Sequence, residues 1–163
     1  MIEIDSTARV SALADIEEST RGTRIVIGPQ VVIDAFVKIK PAGGAGDVMI
    51  GEGSHVNSGT VIYTGNGIRI GKSVLIAANC TLAPVNHAFV GRDVPIRAQG
   101  FQPSRGGIVI EDDVWIGANC AILDGAIIRA GAIVGAGSVV RGELVAYGVY
   151  AGNPIRLLKM RDK

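Results

Sequence analysis

Aliphatic residues recur at every sixth position between Ile110 and Val140: Ile110, Ile116, Ile122, Ile128, Val134 and Val140. Four places after each comes a second series, Val114, Cys120, Ala126, Ala132, Ser138 and Leu144. Ile, Val and Leu make up 47 of the 163 residues. Six hits in a fixed frame therefore arise by chance roughly once in 1,700, and roughly once in 300 with a free choice of frame. A period of six matches neither a helix nor a simple strand. It fits a solenoid, in which each short strand turns a corner and the next one stacks on it.

The same frame runs through the earlier chain in groups of three: Ile27, Ile33, Ile39; Ile50, Val56, Ile62; Ile70, Ile76, Leu82. Three sides per turn make each group one coil of a triangular prism, with the aliphatic residue and the small residue four places on facing inward. The insertion PAGGAGD (41–47) and a slip near Gly65–Gly67 shift the frame between coils. Ile4 and Val10 start the pattern, and the polar stretch 11–24 reads as a loop or an irregular first coil. Gly28, Gly51, Gly71, Gly117 and Gly135 follow aliphatic positions, which places them at corners. Residues 88–107 carry no hexad signal and form a long loop, a kind of segment that is commonly functional. The tail 153–163, opening on Pro154, reads as a short C-terminal helix with Leu157, Leu158 and Met160 against the prism.

Composition narrows the function classes. Sixteen basic and fifteen acidic residues leave a net charge of +1, which gives no reason to expect nucleic acid or an acidic membrane as partner. No segment has the pattern of a signal peptide or a transmembrane span, so a cytoplasmic location is expected. Cys80 and Cys120 both occupy the small inward slot and read as buried, reduced thiols. GNGIRIGKS (65–73) falls short of a phosphate-binding P-loop, because the glycine required five places before Gly71 is Asn66. A zinc site of three histidines cannot be assembled from His55 and His87 alone, and no metal is expected. Asp112, Asp113 and Asp124 read as solvated corners, and His55 as a surface or pocket-wall residue.

The hexads, the loop that follows Asn86-His87, the segment IVIEDDVWIGANCAILDGAIIRAGAIVGAGSVV and the motif YAGNP together resemble the hexapeptide-repeat acyltransferases. The branch that O-acetylates saccharides, including maltose and galactoside acetyltransferases, is the nearest match. The resemblance implies one all-β domain over 1–163, a left-handed parallel β-helix with the loop 88–107 extruded, assembled as a homotrimer with active sites between prisms. It implies an acetyl-CoA-dependent enzyme acting on a small sugar or a cell-surface polysaccharide. His87 would be the general base, since imidazole has a pKa suited to the task near neutral pH.

On the acceptor side the resemblance points to Asn86 and to Asn57 or Ser58. Arg97, Gln99 and Phe101 of the loop are within reach of a sugar or a neighbouring subunit. On the coenzyme side it places backbone groups of Gly117, Ala118, Gly135 and Ala136 along the pantetheine arm, with Trp115 near the cleft. Arg141, Arg156 and Lys159 fall at the nucleotide end, where cations suit phosphates. Two alternatives stay open: N-acetylation of an amino sugar, free or nucleotide-linked, and a non-catalytic β-helix scaffold.

Overall fold

Stacked coils of three short strands build a triangular prism in the computed structural model, which describes residues 1–162. The first coil is β1 (Ile2–Ile4), β2 (Arg9–Val10) and β3 (Asp15–Ile16). The second is β4 (Ile25–Ile27), β5 (Val32–Ile33) and β6 (Lys38–Lys40), and the third β7 (Val48–Ile50), β8 (His55–Val56) and β9 (Val61–Tyr63). The fourth, β10 (Ile68–Ile70), β11 (Leu75–Ile76) and β12 (Thr81–Ala83), leads into the long loop. Beyond it stand β13 (Ile108–Ile110), β14 (Trp115–Ile116), β15 (Ala121–Leu123), then β16 (Ile127–Ile128), β17 (Ile133–Val134), β18 (Val139–Val140). A partial coil, β19 (Glu143–Leu144) and β20 (Gly148–Ala151), precedes the final strand β21 (Arg156–Met160).

Every third strand pairs in parallel, giving three sheets that form the prism walls. Wall A joins β1, β4, β7, β10, β13, β16 and β19; wall B runs from β2 to β20 and adds β21; wall C runs from β3 to β18. The coil is a left-handed β-helix, an exception to the usual right-handed crossover between parallel strands. Ile25, Ile33, Ile39, Ile62, Ile76, Leu82, Ile116 and Ile122 are fully enclosed along the axis. Ser54, Thr60, Cys80 and Cys120 fill the second inward slot, where each side chain donates to a corner carbonyl of the next coil, as Ser54 Oγ does to Gly71 O at 2.7 Å and Cys80 Sγ to Gly117 O at 3.2 Å. Both thiols are free. The adjacent Cys120 thiol and burial push the Cys80 thiol above its ordinary range, so it stays protonated.

Three local expectations change. The first coil is regular: Ile16 continues the series of Ile4 and Val10, and β3 pairs with β6. Its polar, half-exposed residues hide the frame because only one neighbouring coil covers them. The glycines after the aliphatic positions do not supply the corner torsion, which falls two places later at Gln30, Ser73 and Asn119, with φ of 55°, 53° and 57°. What those glycines permit is close stacking: a Cβ on Gly117 would lie 2.6 Å from Ala136 N in the next coil.

The tail is a strand, not a helix. β21 pairs antiparallel with β20, matching Tyr150 with Leu157 and Ala151 with Arg156. Wall B would otherwise end in unpaired backbone groups, and so short a segment has little helical stability of its own. Arg161 pins the end, donating to Asp113 Oδ2 at 3.0 Å and Gly131 O at 2.8 Å.

Candidate active site

The loop leaves the prism where β12 ends, at the corner between walls C and A, and His87 stands in its first residues. Its backbone pairs with Phe101 on the returning limb, supported by Ala88 N to Gly100 O at 3.0 Å and Gln102 N to Asn86 O at 2.8 Å. The two rings lie face to face at a tilt, with centroids 4.7 Å apart. A short antiparallel clasp of this kind holds the imidazole at the root of the loop, where neither limb can swing independently.

The returning limb is anchored by Asp124. This residue is buried, not a solvated corner: its Oδ2 accepts Arg105 N at 2.8 Å and its Oδ1 accepts Gly107 N at 3.0 Å. A carboxylate satisfied by two backbone amides is a strong tether. Replacing Asp124 with alanine is expected to cost about 1–3 kcal/mol and to open the loop to proteases. Urea unfolding and limited proteolysis within 88–107 measure both effects.

Between loop and corner lies a cavity of about 540 Å³, a size common for small-ligand sites. His87, Asn86 and Gln102 face it from the loop roots, Phe89 and Ile96 from the loop arch, Arg105 from the returning limb, and Leu123, Asp124 and Arg141 from the prism side. Arg105, Gln102 and Phe89 carry no sequence signal. They reach the cavity only because the loop folds back on the coil that follows it. Imidazole, amide, guanidinium and aromatic groups in one cavity suit a polar ring-shaped ligand with an exchangeable proton.

Gly117, Ala118, Gly135 and Ala136 lie at a different corner, between walls B and C, in two successive coils. Asn57 and Ser58 belong to the same edge lower down. Gly117 and Gly135 use both backbone groups internally: their N–H groups donate to Val134 O and Tyr150 O, each at 2.7 Å, and their carbonyls accept from Cys80 and Cys120. Among the described residues no partner takes the N–H of Ala118 or Ala136. Asn57 turns its side-chain amide onto Ile76 O at 2.8 Å.

The other residues scatter. Trp115 sits half exposed on the outer face of wall B, between Leu75 and Ile133. Arg156 and Lys159 are exposed on β21. Arg97 is exposed in a single 3-10 turn, Ile96–Ala98. Gln99 spends its amide inside the loop, bonding Gly91 and Val94. His55, also on wall B, places Nε2 3.2 Å from Asp34 Oδ2 without hydrogen-bond alignment. One chain thus gathers His87, Asn86 and Arg141, and holds the four small corner residues across wall C from them. Among the described residues no group of three His, Cys, Asp or Glu is placed to hold a metal, and no helix is long and apolar enough to cross a membrane.

Residues 107–142 match the family described as bacterial transferase hexapeptide, six repeats. An Escherichia coli protein assigned as a lipopolysaccharide biosynthesis O-acetyl transferase is 30% identical over 85% of this chain and 69% of its own length. The chain belongs to the hexapeptide-repeat acyltransferases. A Mycobacterium tuberculosis relative, assigned as an acetyltransferase, is 28% identical over 99% of the chain, which spans only 51% of that protein. Among solved structures, a variant of AntD, an N-acyltransferase from Bacillus cereus, superposes with a TM-score of 0.82 at 27% identity, over 99% of this chain and 84% of that one. It holds dTDP-4-amino-4,6-dideoxyglucose and coenzyme A. A maltose O-acetyltransferase from Clostridium difficile shares the fold at a TM-score of 0.61 and 20% identity, over 99% and 70% of the two chains.

Proposed function

We propose that the protein transfers an acetyl group from acetyl-CoA to a hydroxyl of a saccharide, with His87 as general base. The observation that carries this reading is the imidazole clasped at the mouth of a ligand-sized cavity, at the junction of coil and loop. His87 accepts the proton of the acceptor hydroxyl as its oxygen bonds the thioester carbonyl carbon. The tetrahedral intermediate then expels sulfur as the C–S bond breaks, and the proton passes to the thiolate. Products are the O-acetyl saccharide and coenzyme A. Asn86 and Gln102 are within the same cavity to orient the acceptor.

Coenzyme A in AntD supports acetyl-CoA as the donor, and its use favours a cytoplasmic location. The free N–H groups of Ala118 and Ala136 suit the pantetheine amides, with Gly117 and Gly135 keeping that edge narrow. This edge and His87 flank wall C on opposite sides, which supports a homotrimer in which a neighbouring copy brings its own edge to the cavity. Trp115, Arg156 and Lys159 on wall B would then extend the coenzyme wall. The lipopolysaccharide assignment of the E. coli relative favours a polysaccharide or its precursor as acceptor.

A second reading is N-acylation of a nucleotide-linked amino sugar, favoured by the extent of the likeness to AntD. Free-thiol release from acetyl-CoA, followed across neutral sugars, amino sugars and their nucleotide conjugates, tests both. Turnover with hydroxyl acceptors is expected. Turnover restricted to amines establishes the second reading, and absence of coenzyme A binding by calorimetry turns the case toward a scaffold.

A further inference from the structure

We infer that Arg105 and Arg141 form an anion-recognition pair for the acceptor, so that the preferred acceptor carries a phosphate or carboxylate beside the group acetylated. The inference rests on the acetyl-transfer reading and names its substrate class. Arg141 follows β18, and Arg105 lies on the returning limb of the loop, 36 residues earlier in the chain. The prism brings both to the cavity that holds His87. Among the described residues neither guanidinium makes an ion pair or a side-chain hydrogen bond, so both are available to a ligand in the cavity they line. The one carboxylate in the cavity wall, Asp124, has both oxygens committed to backbone amides. The cavity therefore presents two guanidinium forks, neither of them hydrogen-bonded to its single carboxylate, an arrangement matched to planar or tetrahedral oxyanions.

The sequence resemblance assigns Arg141 to the nucleotide end of the coenzyme, and the cavity argues otherwise. The pantetheine arm is about as long as a four-residue extended chain, roughly 14 Å. A thioester presented to His87 carries its diphosphate that far away, whereas Arg141 lines the same cavity as the imidazole. An anion held beside His87 therefore belongs to the acceptor. Arg105 is further positioned by Gly125, whose φ of 82° leaves its would-be Cβ position 2.9 Å from Arg105 Cβ, so the arginine lies directly over the corner.

The test compares wild type with Arg105→Ala, Arg141→Ala and the double variant, using glucose, glucuronic acid, glucose 1-phosphate and dTDP-4-amino-4,6-dideoxyglucose as acceptors. Wild type is expected to favour an anionic probe over glucose, with the carboxylate and phosphate arms showing which anion is read. Each single variant is expected to raise KM for that probe roughly ten- to hundredfold, with KM for acetyl-CoA nearly unchanged. A rise in KM for acetyl-CoA with no change for the acceptor overturns the inference and returns the arginines to the coenzyme. Calorimetry with glucose 1-phosphate and glucuronic acid, in the absence of acetyl-CoA, keeps the test independent of the transfer reading. Loss of anion binding in the double variant upholds the pair even if no acceptor turns over. No anion binding by wild type overturns it.

Discussion

His87→Ala is expected to lower kcat by roughly two to four orders of magnitude, the range contributed by a positioned general base. KM for acetyl-CoA should change little, because proton removal stabilises the transition state and not the bound substrate. The clasp that holds this position uses backbone groups of residues 86, 88, 100 and 102, so the variant keeps its loop. Only the imidazole and its contact with Phe101 are lost. Circular dichroism and melting temperature should match wild type. Activity within threefold of wild type, with the best acceptor, would show that another group removes the proton.

The fold was legible because one physical requirement repeats. Each short strand must bring an aliphatic side chain inward, each coil must leave room for the next, and the period of six records both. Where that requirement weakens, the reading weakens with it. Ile16 sits in frame, yet its coil is covered on one side only, and the surrounding polar residues resemble a loop. The tail followed a different rule, since β21 forms to complete the edge of β20 and has no period of its own.

The site was half legible for the same reason. His87 is marked by its place at a break in the repeat. Asp124 is not, because its partners are backbone amides of residues 105 and 107 that no side-chain pattern announces. Arg141 was visible as a cation, but Arg105, the loop residue that lines the same cavity, was not. Sequence spacing orders residues along one coil. The distance that decides which of them share a ligand runs between coils, and there the long loop 88–107 intervenes.

Ile122→Ala should be among the most damaging single changes to stability, costing about 2–5 kcal/mol, the range for removing a large aliphatic group from a closed core. Ile122 is fully buried and lies in register between Leu82 below and Val140 above. A solenoid's stability is close to a sum of coil and interface contributions. A cavity in an interior coil therefore loosens two interfaces, and neither neighbour can collapse into it without breaking the parallel pairing of wall C. The same truncation at Ile4, 48% exposed in the first coil, should cost well under half as much, having one interface and a partial burial to lose. Urea unfolding of both variants provides the comparison; equal losses would mean that the prism unfolds without regard to position. The difference also reaches the chemistry. Leu123 and Asp124, directly after Ile122, form the cavity wall and the anchor of the loop, so a loosened fifth coil is expected to lower activity with anionic and neutral acceptors alike, whereas loss of Arg105 or Arg141 affects the anionic ones alone.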